Sequence, residues 1–119
     1  MNPLRILLAE DEPLIAMLMA RVLRVLGHEV CAVEATEAGA VAAAALYRPQ
    51  LMIVDAGLRR GSGVAAVQAI LRQGFIPHVF VSGAVIAGLG PEAVVLLKPY
   101  TEAELVAAMQ RAMAAPLSA

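Results

Sequence analysis

The residues able to do chemistry stand at the ends of short apolar runs. Glu10 and Asp11 follow Ile6-Leu7-Leu8-Ala9, Asp55 follows Leu51-Met52-Ile53-Val54, Ser82 and Gly83 follow Val79-Phe80-Val81, and Lys98 follows Leu96-Leu97. If those runs lie side by side and point the same way, three carboxylates, a hydroxyl and an ammonium converge on one edge. Three acidic groups at close range repel one another unless a cation sits among them. Hard oxygen ligands with positions left for water suit Mg²⁺. Bound Mg²⁺ would neutralise charge and leave one carboxylate able to attack a phosphoryl group. Lys98 and the Ser82 hydroxyl would stabilise the equatorial oxygens during transfer.

Each of these residues alone has a plainer explanation. Glu10 and Asp11 just before Pro13 suit the start of a helix as capping and dipole partners. Asp55 before a Gly-containing segment suits a turn, Ser82-Gly83 is a weak loop signal, and a lysine after a strand is usually a solvated charge. The joint placement carries the weight, because chance seldom puts all of them on alternate strand ends. His28, His78 and Cys31 read as core or surface residues.

The elements that must position this set follow from the apolar pattern. Ile6 to Ala9, Val30 to Val33, Leu51 to Val54, Val79 to Val81 and Val94 to Leu97 are rich in Val, Ile and Leu and bounded by charge, Gly or Pro. Continuous apolar runs of that length suit parallel strands covered on both faces. Between and after them, Pro13 to Leu26, Thr36 to Tyr47, Ser62 to Gln73 and Thr101 to Ala114 consist mostly of good helix formers. Pro13 suits a first helical position, Gly27 a position just past a helix end, and Thr101 with Glu104 a capping box. Alternating strands and helices predict an α/β, doubly wound parallel sheet of five strands. In such sheets ligands bind beyond the carboxyl ends of the strands. No internal repeat or linker is visible, and only Pro116 to Ala119 fall outside the elements.

Composition bounds the function classes. The 119 residues carry a net charge of −1, with 61% hydrophobic and 3% aromatic residues. That is the length of one domain, and such a chain buries roughly two thirds of its unfolded surface without staples. The single cysteine and two histidines exclude a disulfide scaffold and a zinc module, and fit a reduced, cytoplasmic setting. The mean hydropathy of +0.77 raises the question of a membrane. The uncharged stretch Gln73 to Pro91 is broken by Pro77 and four glycines, and Glu10, Asp11 and Glu12 interrupt any signal-peptide core, so neither a membrane span nor a leader is expected. No basic stripe is present to meet nucleic acid.

The order Ile6 to Pro13, then Leu51 to Asp55, then Val79 to Gly83, then Leu96-Leu97-Lys98-Pro99-Tyr100 resembles the receiver domain of two-component response regulators, over nearly the whole chain. The resemblance implies a flavodoxin-like sheet in the order 2-1-3-4-5 and Asp55 as phosphoacceptor. It implies that Asp11 and Asp55 bind Mg²⁺ directly, that Glu10 acts through water, and that the carbonyl of Gly57 is a further ligand. Ser82 takes the place of the phosphate-sensing hydroxyl, Lys98 that of the family lysine, and Gly63 that of the loop-closing glycine. The partner so implied is a histidine kinase or histidine phosphotransfer protein.

Three departures stand out. The Ser82 to Lys98 stretch is shorter than usual and holds Gly88 and Gly90, so the fourth helix should be short, disordered or absent. Val95 stands where an aromatic switch residue is common, and Arg59 and Arg60 add charge after Asp55. Together with Phe80-Val81-Ser82-Gly83 these features resemble an atypical subgroup nicknamed for a Phe-Ala-Thr-Gly motif. Gly57 and Ala84 are too small to shield an aspartyl phosphate, so hydrolysis within minutes is expected unless Arg59 reaches the phosphate.

The first helix carries more apolar residues than a core stripe needs. The surplus either packs deeply within the domain or docks the phosphodonor, with Met19 and Leu23 as the candidate docking residues. The face near Val95 is a candidate homodimer surface. The expectation is a single receiver over residues 1–119 with no output domain, acting through partner binding or onward phosphotransfer, without turnover of a substrate. The alternatives are a phosphorylation-independent interaction module and a small phosphate-ester hydrolase.

Overall fold

The computed structural model describes residues 2–114; Pro116 to Ala119 lie outside the described residues. Its elements run β1 (Arg5–Ala9), α1 (Pro13–Val25), β2 (Glu29–Glu34), α2 (Glu37–Tyr47), β3 (Leu51–Asp55), α3 (Gly63–Leu71), β4 (His78–Ser82), β5 (Val95–Leu97) and α4 (Glu102–Ala114). The five strands form one sheet in the order β2-β1-β3-β4-β5, and every pairing is parallel. This is the flavodoxin-like arrangement that the alternation and the resemblance lead one to expect.

Helix ends form where the side chains make them. Thr36 and Ser62 cap α2 and α3 by accepting from Gly39 N and Ala65 N, each at 3.0 Å. At α4 the capping box is closed in both directions, Thr101 N to Glu104 Oε1 at 2.8 Å and Glu104 N to Thr101 Oγ1 at 3.1 Å. Past α1, Gly27 adopts φ +98, and His28 N returns to the carbonyl of Leu23. A side chain would be strained at that φ, which is why glycine ends the helix there.

Successive strand residues face opposite sides of the sheet, so each strand feeds two cores. Ile6, Leu8, Leu51, Ile53 and Val79 pack with α1 and α4 on one face. Leu7, Met52, Val54 and Phe80 pack with α2 and α3 on the other. The strands read as unbroken apolar runs because both faces are covered. The edge strands are less covered: β2 is only half-buried with Val33 exposed, and Leu97 of β5 is exposed.

Two features bear on the site. Among the described residues no helix lies between β4 and β5, as the shortened, glycine-containing segment leads one to expect. The chain crosses there in turns, with Ile86 and Leu89 packed on the α2/α3 core. The second is a correction: Met19 and Leu23 are not surface residues. Together with Ala16 and Ala20 they form the inward stripe of α1, and Leu23 is completely buried. Positions 16, 19, 20 and 23 repeat at the i, i+3, i+4, i+7 spacing that faces a core. The exposed surplus of the helix is Leu14, Ile15, Met17, Leu18 and Val25 instead.

Candidate functional site

The parallel sheet turns all the carboxyl strand ends to one edge, and the singled-out residues sit there. Glu10 follows β1, with its N–H donating to Glu34 O at 2.9 Å. Asp55 is the last residue of β3 and Ser82 of β4. Lys98 follows β5, and its N–H donates to the Ser82 carbonyl at 2.8 Å. The three-residue edge strand β5 therefore reaches far enough to bring the following lysine level with Asp55.

Both oxygens of the Asp55 carboxylate have donors. Lys98 Nζ donates to Oδ2 at 2.8 Å, and Gly57 N donates to Oδ1 at 2.9 Å. The Asp55 side chain is largely buried, that of Lys98 about one third exposed. The bond to Asp55 raises the Lys98 pKa above its ordinary value, against the opposing effect of burial. Lys98 is therefore a fixed positive charge across the accessible pH range.

Glu10 is the buried acid of the site, only 7% exposed. Burial pushes its carboxyl up from 4.5 to about 7; the Glu12 N–H, donating at 3.1 Å, works against this, while neighbouring Asp55 pushes in the same direction as burial. Two carboxyl groups thus share a site with one ammonium. Asp11 stands apart: its carbonyl accepts from Arg59 Nη2 at 3.4 Å, and among the described residues no three His, Cys, Asp or Glu side chains gather as a group that could hold a metal ion. The three carboxylates therefore do not form one closed group here, although Glu10 and Asp11 line the same surface cleft.

The remaining chemistry still suits a hard cation. Mg²⁺ usually takes one or two carboxylates and keeps its other positions for water and phosphate oxygens. Glu10 and Asp55 are such a pair; burial above all, with neighbouring Asp55 adding to it, raises the Glu10 carboxyl.

The Ser82 hydroxyl makes no hydrogen bond to the Asp55 or Lys98 side chain. It donates to Ala84 O at 2.6 Å and accepts from Ala84 N at 3.2 Å, so the side chain closes a turn with Gly83 at its exposed centre. Tyr100 packs half-buried on the α1/α4 core, where burial raises its phenol pKa. Val95 packs on the opposite core. Gly63 is required by space: a Cβ there would stand 1.9 Å from the Asp55 carbonyl.

Glu37 is a residue that sequence reasoning missed. It lies in the first turn of α2, where an acid is ordinary, and no motif spacing marks it. Its Oε1 accepts from Ser62 N at 3.0 Å and thereby reaches the loop after Asp55.

Comparison with known proteins follows the same lines. A family model described as response regulator receiver domain matches residues 6–110. The chain is 36% identical over 114 residues to the phyllosphere-induced regulator PhyR of Methylorubrum extorquens, covering 91% of this chain and 43% of that protein. It is 32% identical over 117 residues to the transcriptional regulatory protein PdtaR of Mycobacterium tuberculosis, covering 93% and 57%. The chain thus spans about half the length of these curated relatives. Among solved structures, the receiver domain of Erythrobacter litoralis PhyR superposes with a TM-score of 0.86 at 30% identity, covering 99% of this chain and 98% of that one. PhyR from Brucella abortus gives 0.80 at 32%, covering 94% and 48%.

Proposed function

Because the chain belongs to the response regulator receiver domain family, we propose that it accepts a phosphoryl group on Asp55 from a phosphohistidine of a histidine kinase or phosphotransfer protein. The observation that carries this reading is the Lys98–Asp55 pair at 2.8 Å on the carboxyl edge of the sheet, beside buried Glu10. A carboxylate oxygen of Asp55 forms the new bond to phosphorus as the bond to the donor's imidazole nitrogen breaks. The released imidazole takes up a proton. Lys98 then meets a phosphoryl oxygen while remaining beside Asp55, and the Gly57 N–H keeps the carboxylate oriented.

Asp11 and Asp55, with the Gly57 carbonyl, would hold Mg²⁺ directly and Glu10 through water, once the Asp11 carboxylate turns toward Asp55; the ion would neutralise the charge of the incoming phosphoryl oxygens. The Ser82 hydroxyl has to leave the Ala84 carbonyl to reach a phosphoryl oxygen. That exchange loosens the turn after β4 and supplies a route from the site to the helix-free crossing between β4 and β5. Gly57 and Ala84 leave the aspartyl phosphate open to water, so the phosphorylated state is short-lived, and the protein signals in the cytoplasm through partner binding or onward transfer rather than by turning over a substrate.

The exposed face of α1, with Leu14, Met17 and Leu18 next to the loop carrying Asp11, is the proposed docking surface for the phosphodonor. Met side chains adapt to such partners. Labelling of wild type and Asp55→Ala by a small phosphodonor in Mg²⁺ buffer tests the reading: only the wild type should take up phosphate.

A further inference from the structure

The loop from Ala56 to Ser62 connects the phosphoacceptor to α3 and folds back on itself. Gly63 N donates to Ala56 O at 2.9 Å, and Gly57 and Ser62 form an antiparallel bridge. At its tip the chain turns through two left-handed residues, Arg60 at φ 54 and Gly61 at φ +126. A miniature hairpin of this kind has too few internal bonds to hold its own shape. Something outside it must set where Gly57 N points.

That support comes from α2. Glu37 Oε1 accepts from Ser62 N at 3.0 Å, and the side chain of Glu37 lies flat over Gly61, where a Cβ would come within 2.7 Å of the Glu37 Cβ. Nearby, Arg59 N donates to the Ala35 carbonyl at 3.1 Å, and Thr36 bridges Arg59. Both limbs of the loop are thus tied to the start of α2, the outgoing one through Arg59 and the returning one through Ser62 and Glu37. The outgoing limb presents Gly57 N to Asp55 Oδ1 at 2.9 Å, and Gly57 is bridged directly to Ser62.

We propose that Glu37 is a positioning residue for the phosphoacceptor, holding Ser62 so that its bridge partner Gly57 keeps its N–H on Asp55. Glu37 acts as a hydrogen-bond acceptor and a packing plate, and its charge is not required. The inference rests on the reading of Asp55 as phosphoacceptor for its kinetic consequence, but its structural half stands without it.

The test compares Glu37→Ala with Glu37→Gln in two readouts: amide NMR signals of Ser62 and Gly57, and the rate of Asp55 labelling by acetyl phosphate with Mg²⁺. Loss of one hydrogen bond that holds the loop should slow labelling roughly fivefold in Glu37→Ala. The same variant should move both amide signals upfield. Glu37→Gln keeps an acceptor oxygen at the same reach and should label at the wild-type rate with an unmoved Gly57 signal. If Glu37→Ala does not fold, Gly61→Ala, whose methyl group would displace the Glu37 side chain, should show the same two changes. An unmoved Gly57 signal in the Ala variants overturns the proposal, as does a Gln variant that behaves like Ala. If wild type itself takes no label, the phosphoacceptor reading fails, and the amide signals alone decide for or against the clamp.

Discussion

Lys98 Nζ lies 2.8 Å from Asp55 Oδ2 and so joins the carboxyl ends of β5 and β3 across the intervening β4. The ammonium is about one third exposed, so the pair itself adds at most about 1 kcal/mol to stability. Lys98→Ala should therefore melt close to wild type yet label with phosphate at least roughly tenfold more slowly, the effect of removing one charged stabiliser from the transition state. Thermal unfolding and a labelling time course on the same preparation check both halves.

The two faces of α1 should respond differently to substitution. Leu23→Ala removes a fully buried side chain and should cost about 2–5 kcal/mol, read by urea unfolding. Met17→Glu and Leu18→Glu lie on the exposed face and should leave stability within about 0.5 kcal/mol. They should slow phosphotransfer from a phosphohistidine protein but not from acetyl phosphate; equal slowing with both donors would remove α1 as the docking surface.

Gly63 tests the packing that seats the acceptor. Its Cβ position overlaps the Asp55 carbonyl at 1.9 Å and lies 2.7 Å from Val54 Cγ1. Backbone cannot yield as a flexible side chain can, so Gly63→Ala should destabilise by roughly 1–3 kcal/mol, as overpacking does. It should also weaken labelling, because the strain falls on Asp55 itself. A wild-type melting temperature for this variant would contradict the close approach.

His28 gives a pH dependence with a definite sign. Its ring is buried, 8% exposed, and Nδ1 accepts from Leu4 N at 3.0 Å. Burial lowers its pKa below the ordinary 6.5, so the unfolded chain binds the proton first. Its stabilising contribution is complete above pH 6.5 and is lost as pH falls from there through the folded-state pKa. His28→Gln, which keeps an acceptor and cannot titrate, should flatten the dependence of the urea midpoint over this window. Equal slopes for variant and wild type would contradict the assignment.

Much of this was legible in the sequence because the relevant signals are local. Apolar runs, Pro13, Gly27 and the Thr101–Glu104 box mark their elements through short-range physics, and the parallel order then carries Glu10, Asp55, Ser82 and Lys98 to one edge. The rest depends on side-chain direction. Met19 and Leu23 could not be told from Met17 and Leu18 by apolar character in a helix that is apolar almost all round; only the packed sheet selects the inward stripe. Glu37 was invisible because its partner, Ser62, is distant in sequence and contributes a backbone N–H, which leaves no trace in residue type. Asp11 shows the converse: adjacency to Glu10 in sequence does not bring its carboxylate into the same group.

The most direct measurement is the incorporation of phosphate from acetyl phosphate, with Mg²⁺, into wild type and Asp55→Ala, followed by mapping of the labelled residue. One alkali-labile phosphate, released by hydroxylamine, is expected on Asp55 of the wild type and none in the variant. Equal labelling of both proteins, or none in a folded wild type, would contradict it.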